Sequence, residues 1–239
     1  MSISAVVLTN NSEKTLGRCL KSISFADEII VIDDGSIDST IKIAKKYNSK
    51  VYKRKLNSDF ASQRNFGLSK TKSDWVLFLD SDEKFIGGKP MVEDQYDGYQ
   101  LRRIDVFMGK KIKYGEPGGK KILVLAKKTS GKWQRHVHEC WNIRGRVGNL
   151  ENYILHYSHP SVYDFISKIN FYAIIHQSEN KKEGKKPSLL KVFFFPVFKF
   201  INSFIVKRGF LDGAQGFVYA AMMSFHSFLV WGSLWLKKR

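Results

Sequence analysis

The segment that decides the fold is Trp75–Glu83, WVLFLDSDE, in which five apolar residues are followed at once by four polar ones. A short uninterrupted apolar run is typical of a strand that is buried on both faces. Carboxylates at the end of a buried strand need a cation or hydrogen-bond donors to compensate their charge. The segment therefore predicts an inner strand of a sheet that ends at a functional rim carrying Asp80 and Asp82.

Further apolar runs alternate with amphipathic stretches in the N-terminal third. The predicted strands are Ser4–Thr9, Glu28–Ile32, Val51–Arg54 and Trp75–Leu79, and the predicted helices are Glu13–Ile23, Asp38–Tyr47 and Phe60–Ser69. Strands that alternate with helices predict a parallel sheet of the nucleotide-binding α/β class.

Polar clusters follow three of these strands directly. They are Thr9–Asn11, Asp33–Ser36 and Asp80–Glu83. Ligands of open parallel sheets bind beyond the carboxyl ends of the strands, so we expect the three clusters to share one rim.

Each cluster has a chemical interpretation and a structural alternative. Asp80 and Asp82 suit Mg²⁺ or Mn²⁺, which take oxygen ligands, and the alternative is an Asp-rich turn. Asp33 or Asp34 suits hydrogen bonds to a nucleobase or ribose, and the alternative is a turn and helix N-cap. Arg64, on a predicted helix, suits a diphosphate as a forked donor, and the alternative is a solvated helix face.

Composition limits the class of protein. The chain has 239 residues, a net charge of +18 and two cysteines, with 43% hydrophobic residues. These values exclude wholesale disorder, and two cysteines exclude a disulfide framework or a four-thiolate metal site. No basic stretch precedes the first apolar run, so we expect no cleaved secretory signal and a cytoplasmic catalytic domain. The positive charge predicts an anionic partner.

The charge is concentrated with aromatic residues near the C-terminus. Residues 185–239 contain nine Lys or Arg, one acidic residue and ten of the 18 Phe. Because the cations are interleaved with long apolar runs, we favour an anionic membrane surface over nucleic acid. The uncharged segment Gly216–Leu236 is long enough to span a bilayer. Basic residues flank it on both sides, which favours a helix lying in the interface, and a buried core helix is the alternative.

Taken together in this order and spacing, several motifs resemble family 2 of the glycosyltransferases over about residues 1–85. These motifs are Val6–Asn11, Asp33–Asp38, Gln63–Gly67 and Leu77–Glu83. Later segments are similar to the subgroup of bacterial lipopolysaccharide-core-type β-glycosyltransferases. These segments are Gly98–Arg103, His136–Glu139, Gly145–Leu150, Leu155–Ser158 and Arg208–Gly213.

The resemblance implies a GT-A nucleotide-diphospho-sugar transferase fold, with a mostly parallel central sheet, and an inverting transfer from a nucleotide sugar. The expected nucleotide-sugar-binding residues are Thr9, Asn11, Asp33, Asp34, Arg64 and Asp80, and the expected ligands of Mg²⁺ or Mn²⁺ are Asp80 and Asp82. Glu139 is the expected base that takes the acceptor's proton, and His138 is expected to orient it or to bind phosphate.

The resemblance also predicts the organisation of the chain. Residues 1–158 form the catalytic domain, with a nucleotide-sugar half at 1–97 and an acceptor half at 98–158, and residues 159–239 form a helical, membrane-associating extension. The expected donor is a UDP-sugar, and the expected acceptor is a lipid-linked saccharide or lipopolysaccharide-core sugar at the cytoplasmic face of the inner membrane. No nucleic-acid partner is expected.

Two other hypotheses remain open from the sequence. A sugar nucleotidyltransferase would use a similar scaffold, but such enzymes place a Gly-rich, basic loop after the first strand. Here Asn10-Asn11-Ser12-Glu13 occupies that place. A non-catalytic basic module for nucleic acid or anionic lipid would explain the net charge but not the acidic rim.

Overall fold

The computed structural model describes residues 1–135 and 139–237, and their regular elements are eleven strands and six α-helices. In chain order these are β1 (Ile3–Thr9), α1 (Leu16–Ser22), β2 (Glu28–Asp33), α2 (Thr40–Lys46), β3 (Lys50–Lys53), α3 (Phe60–Lys70), β4 (Trp75–Asp80), β5 (Glu83–Ile86), β6 (Gly98–Phe107), β7 (Lys110–Lys111), β8 (Lys121–Lys127), β9 (Gly131–Gln134), β10 (Cys140–Ile143), β11 (Val147–His159), α4 (Val162–Lys182), α5 (Leu189–Ile201) and α6 (Ala214–Leu236). The chain divides into two compact units, residues 1–103 with 120–156 and residues 104–119 with 157–239.

The sheet has the strand order β3-β2-β1-β4-β8-β6-β11-β5. Strand β1 pairs in parallel with both β2 and β4, so that Val6 lies between Ile30 and Phe78. Every residue of β1 is buried, as expected for a central strand that is covered on both faces. The predicted α/β fold is therefore confirmed, and each predicted strand and helix up to residue 80 is present with its ends shifted by a few residues.

Helix α3 lies close against the sheet because residue 67 is a glycine. A Cβ atom at Gly67 would come within 2.5 Å of Val6 Cγ1 and 3.3 Å of Ile32 Cγ1. Those contacts leave no space for a side chain. The close packing also fixes the position of Arg64, which precedes Gly67 by about one helical turn.

Antiparallel strands complete the first unit. Strand β8 pairs with β4, with Leu77 opposite Leu125, and β6 pairs in turn with β8. A separate hairpin of β9 and β10 covers one face, where Trp133 stacks on Trp141 at a ring distance of 5.4 Å. Both indoles pack edge-on against Phe78 of β4, so the hairpin is attached to the middle of the sheet.

The second unit has its own apolar core, to which helices α4 and α6 contribute. Five buried residues form this core, namely Phe107, Ile112, Phe165, Ile169 and Tyr219. The sequence-predicted boundary at residue 158 remains a prediction, and residues 104–119 pack with the C-terminal helices.

Two helical stretches of this unit are long and apolar enough to cross a membrane by length and composition. One is Ala214–Leu236, which contains the segment identified from sequence, and the other is Leu189–Val206, formed by α5 and the π-helical turn after it. The second stretch was not predicted from sequence as a possible span, and Lys191 and Lys199 interrupt its apolar run.

Candidate functional site

The polar ends of three strands meet at one edge of the sheet. Thr9 lies opposite Asp33 in the β1–β2 pair, and Leu8 lies opposite Asp80 in the β1–β4 pair. The Ser81 N–H donates to the Leu8 carbonyl at 3.1 Å, which extends the pairing beyond β4. The three polar clusters identified from sequence therefore lie side by side on one rim.

Asp33 is fully buried and holds the turn that follows β2. Its carboxylate accepts hydrogen bonds from the Gly35 N–H at 3.0 Å, from the Ser36 N–H at 3.1 Å and from the Ser36 hydroxyl. Gly35 has a φ of +81°, a left-handed conformation that favours glycine. The described contacts of Asp33 are those of the turn alternative, and its contact with a nucleotide stays a prediction.

Asn11 joins the loop after β1 to the loop after β2. Its N–H donates to Ser36 Oγ at 2.8 Å, and its Oδ1 accepts from the Ile37 N–H at 2.9 Å. Asn11 is exposed, and its φ of +44° is tolerated because asparagine adopts the left-handed region more readily than most residues. The two loops are thus held as one wall of the rim.

Asp34 and Thr9 differ in how their polar atoms are used. Asp34 Oδ1 accepts from the Leu56 N–H at 2.8 Å, and the Asp34 carbonyl accepts from Lys55 Nζ at 3.2 Å. Asp34 is partly exposed, so the side chain can be reached from solvent. Thr9 Oγ1 is buried and has no hydrogen-bond partner within the described part of the chain. A cation beside a partly exposed carboxylate suits a ligand that carries both phosphate and hydroxyl groups.

Arg64 is the buried centre of the site. Its Nη2 lies 2.9 Å from Asp80 Oδ1, and its Nε lies 3.1 Å from Glu139 Oε1. The guanidinium also lies 4.7 Å from the centre of the Trp133 ring. Burial lowers the pKa of Arg64, but the nearby carboxylates raise it further, so the net shift is upward and the side chain is charged. The solvated-face alternative for Arg64 is therefore wrong, because the side chain is buried among acids and aromatic rings.

A second buried ion pair supports the turn that carries Asp80. The Asp80 N–H donates to Glu83 Oε2 at 3.0 Å, and Glu83 Oε1 lies 2.9 Å from Arg103 Nε. Burial raises the pKa of Glu83, while Arg103 acts in the opposite direction. Glu83 therefore fixes the backbone at Asp80 and leaves the Asp80 side chain directed to Arg64.

Asp82 faces a different partner from Asp80. Its Oδ2 lies 3.6 Å from His156 Nε2. The side chains of Asp80 and Asp82 are 38% and 25% exposed, so a ligand can reach both. Across residues 1–135 and 139–237, no group of three or more His, Cys, Asp or Glu side chains is arranged to hold a metal ion alone. Two accessible carboxylates do fit Mg²⁺ or Mn²⁺, because such ions bind proteins through one or two carboxylates when phosphates supply further oxygens.

Glu139 directly precedes β10, the return strand of the β9–β10 hairpin, and contacts Arg64 from that position. The hairpin is positioned by Asn65, whose Nδ2 donates to the Trp133 carbonyl at 2.8 Å and whose Oδ1 accepts from the Trp133 N–H at 2.9 Å. His138, the other expected catalytic residue, lies outside the described residues.

The structure brings several expected residues together and adds others. Arg64 is in direct contact with both Asp80 and Glu139, although Glu139 lies far from the other two in sequence. The roles of Glu83 and Asn65 were not identified from sequence. Both lie within the sequence motifs that contain Asp80 and Arg64, and this proximity in sequence is the signal that could have identified them.

Comparisons with known proteins bear on the family of the chain. The model of the family described as "Glycosyl transferase family 2" matches residues 4–146. An uncharacterized glycosyltransferase of Rickettsia typhi is 28% identical over 95% of this chain and 84% of its own length. The lipopolysaccharide core biosynthesis glycosyltransferase LpsC of Rhizobium meliloti is 25% identical over 95% of this chain and 89% of its own.

Two solved structures show weaker likeness. S. aureus TarS aligns with 96% of this chain and 55% of its own, at 16% identity and a TM-score of 0.47. Glucosyl-3-phosphoglycerate synthase from Mycobacterium tuberculosis, solved with Mn²⁺ and UDP, aligns with 43% of this chain and 44% of its own, at 23% identity and a TM-score of 0.35.

Proposed function

The chain belongs to glycosyltransferase family 2, and from that premise we propose that it is a metal-dependent, inverting glycosyltransferase acting on a lipid-linked or lipopolysaccharide-core saccharide. The observation that carries the proposal is the contact of one buried guanidinium, Arg64, with both the candidate metal ligand Asp80 and the candidate base Glu139. This contact joins a donor-binding group and a proton-accepting group in one site.

Glu139 is the base in the proposed reaction. An acceptor hydroxyl oxygen forms a bond to the anomeric carbon of the donor sugar, and its proton passes to a Glu139 carboxylate oxygen. The bond between the anomeric carbon and the phosphate oxygen breaks, and its electron pair leaves with the nucleoside diphosphate. Attack and departure occur on opposite faces, which inverts the anomeric configuration. Arg64 holds the Glu139 carboxylate in position, and hydrogen bonding by Asn65 to Trp133 holds the hairpin that presents it.

Asp80 and Asp82 hold the divalent cation in this proposal. A bound Mg²⁺ or Mn²⁺ supplies positive charge that stabilises the diphosphate as it departs. The Glu83 carboxylate accepts a hydrogen bond from the Asp80 N–H and so holds the turn that carries Asp80.

The nucleoside is proposed to lie along the loops after β1 and β2. Asp34 contacts the base or ribose there, while Asp33 acts through the turn that it holds. Thr9 and Asn11 complete this wall. Uridine is the base we propose, with the donor therefore a UDP-sugar.

The acceptor is proposed to bind on strands β6, β8 and β11. A polar cleft of about 310 Å³ is present there, lined by Gln100, Arg102, Lys121, Asn149, Leu150 and Glu151. Arg102 lies opposite Lys121 in the β6–β8 pair, so two cations adjoin amide and carboxylate groups. Such a lining suits a saccharide that carries negative charge. The similarity to LpsC supports a lipopolysaccharide-core acceptor. The apolar C-terminal helices support action at a membrane, which we place at the cytoplasmic face of the inner membrane.

The test is turnover of a panel of nucleotide sugars, with Mn²⁺ or with a chelator. We expect hydrolysis or transfer from one donor, with the product anomer inverted. Glu139→Gln should lower the rate by roughly 10²-fold or more while donor binding persists. Asp82→Ala should abolish the response to metal. Full activity of Asp82→Ala would refute the metal role, and pyrophosphate release from a nucleoside triphosphate would favour a nucleotidyltransferase instead.

A further inference from the structure

Helix α5 presents an unusually apolar outer surface. Only 11% of the residues of Leu189–Val206 are buried. Ten large apolar residues are exposed there: Leu189, Leu190, Phe193, Phe194, Phe195, Val197, Phe198, Ile201, Ile205 and Val206. The inner side of the helix is occupied, since Val192 is buried and the Pro196 carbonyl accepts a hydrogen bond from Ser224 Oγ of α6 at 2.8 Å. An exposed apolar patch of this kind is typical of a surface that contacts another protein or a membrane.

Length alone would let this stretch cross a bilayer. Eighteen helical residues extend about 27 Å, close to the roughly 30 Å of a hydrocarbon core. If α5 crossed and α6 returned, the connection between them would lie on the far side of the membrane. The partners of that connection therefore decide the topology.

The connection between α5 and α6 is bonded to residues 113–115. The Asp212 carboxylate accepts from the Lys113 N–H at 3.0 Å and from the Tyr114 N–H at 2.8 Å, and Asp212 is buried. The Gly115 N–H donates to the Lys207 carbonyl at 2.9 Å. These are backbone and charge-assisted bonds that fix the loop closely to this segment.

The segment itself cannot be across a membrane from the end of strand β6. It follows β6, with Met108 and Gly109 alone between Phe107 and the short strand β7 that pairs back onto β6. Two residues span about 7 Å at most, far less than a hydrocarbon core. The α5–α6 connection therefore lies on the same side of any bilayer as strand β6.

Helix α6 is accompanied by a polar helix along its length. Tyr219 near its start packs on Phe165 of α4, with ring centres 5.3 Å apart, and Lys237 just after its end lies 3.3 Å from Gln177 of α4. Helix α4 carries Lys168 and Glu179 among other charged residues, and such a helix is not stable in the hydrocarbon core. Helix α6 therefore packs within its unit and does not cross a bilayer.

Cations stand at both ends of the exposed α5 surface. Lys185 and Lys186 precede the helix, and Lys207 and Arg208 follow it, all four exposed. An apolar helix face with cations at its ends matches the boundary between anionic headgroups and acyl chains.

We propose that α5 is an in-plane membrane anchor: its outer face enters one leaflet of an anionic bilayer, and neither α5 nor α6 crosses. The inference rests on the membrane association included in the proposed function. It adds which surface of the protein contacts the membrane and how far that surface enters the bilayer. The occupant of the surface is a lipid bilayer that carries negative charge.

Vesicle co-sedimentation of the full chain tests the surface. The Phe194→Ser/Phe198→Ser variant should bind phosphatidylglycerol-containing vesicles at least about tenfold more weakly than the parent. The matched control is Phe171→Ser/Ile174→Ser, which changes two similarly exposed residues of α4 and should bind like the parent. Equal binding by the α5 variant and the parent overturns the proposal. Should the α5 variant unfold, Lys186→Glu/Lys207→Glu carries the same test and should bind anionic vesicles more weakly.

Thiol labelling in spheroplasts tests the depth. In a Cys140→Ser background, Leu211→Cys places a thiol in the α5–α6 connection, where Leu211 is exposed. A membrane-impermeant reagent should label it after permeabilisation and not before. Labelling in intact spheroplasts would demonstrate a two-span hairpin and overturn the proposal. Donor hydrolysis in solution is measured alongside, because the soluble reaction tests the proposed function without vesicles and should be equal in the parent and the α5 variant.

Discussion

Replacing Arg64 by glutamine tests the site where it is most tightly constrained. The substitution keeps a polar side chain of moderate length but removes the charge that contacts Asp80 and Glu139. Two carboxylates, with Glu83 nearby, would then share the rim without this counter-charge. We expect both the stability of the protein and its reaction rate to fall.

The size of the effect follows from burial. Removing one partner of a buried ion pair costs about 3–5 kcal/mol. The Asp80 side chain is 38% exposed, so hydration of its carboxylate reduces this loss of stability. The Glu139 side chain is 17% exposed, and hydration reduces the loss there less. We therefore expect about 2–4 kcal/mol less stability at neutral pH. Loss of the position of Glu139 should lower donor turnover by roughly 10²-fold.

The assay is urea unfolding of the full chain in mild detergent, together with donor hydrolysis. Arg54→Gln is the matched control, because Arg54 also contacts α3 through its guanidinium but bonds to the neutral groups Ser62 Oγ and Gln63 Oε1. It should cost about 1 kcal/mol and leave turnover within a few-fold. In the Glu139→Gln background, Arg64→Gln should cost at least about 0.5 kcal/mol less than in the parent. Strictly additive costs, or an Arg64→Gln protein as stable and active as the parent, would refute the ion-pair bridge.

Three other perturbations have defined outcomes. Gly67→Ala should lower stability by about 1–3 kcal/mol in urea unfolding, because the new Cβ would lie 2.5 Å from Val6 Cγ1, and an unchanged midpoint would contradict the close packing of α3. Under native conditions a thiol reagent should modify the exposed Cys140 and leave Cys19 unmodified up to mildly alkaline pH. Burial raises the pKa of the Cys19 thiol and keeps it protonated. Mass spectrometry that finds Cys19 labelled in the folded protein would contradict this expectation. Arg102→Gln should raise the KM for a charged acceptor several-fold while leaving donor hydrolysis in the absence of acceptor unchanged, and a change in donor hydrolysis alone would exclude the cleft as the acceptor site.

The parallel half of the fold could be predicted because its signal is local. The strand β4 is an unbroken apolar run followed directly by carboxylates. Strand β2 repeats this pattern with Asp33 and Asp34, and β1 ends instead in the uncharged polar residues Thr9, Asn10 and Asn11. An apolar strand of this kind must be covered on both faces, which requires neighbouring strands and helices on each side of the sheet. The alternation of strands and helices, and the common edge at which the strands end, could therefore be predicted. The ends of the helices were less well determined, since Ser12 and Thr15 form turns before α1 begins at Leu16.

The contacts that organise the site could not be predicted in the same way, because they join distant parts of the chain. Arg64 alone resembles any charged residue on a helix, and its burial depends on Trp133 and Glu139 from a hairpin much later in sequence. The exposure of α5 is also a tertiary property. Its residues are as apolar as those of a core helix. Only the tertiary structure shows that no other element of the described chain packs on their outer face.

The acidic rim and the basic surface of this protein have separate electrostatic roles in the proposed function. A donor diphosphate and a carboxylate base would lie close together in the proposed site, and cations inside the site would offset their repulsion. Arg64 supplies one such charge from the protein itself, held where it contacts Asp80 and Glu139. The positive charges that give the chain its net charge of +18 lie largely on exposed Lys and Arg. In the proposed membrane contact, these exposed charges would attract anionic lipid without neutralising the rim. Raising the ionic strength should therefore weaken vesicle binding much more than it weakens the Arg64 bridge, because the buried pair is less screened than the surface cations. Equal salt sensitivity of vesicle binding and of the stability difference between parent and Arg64→Gln would contradict this separation of roles.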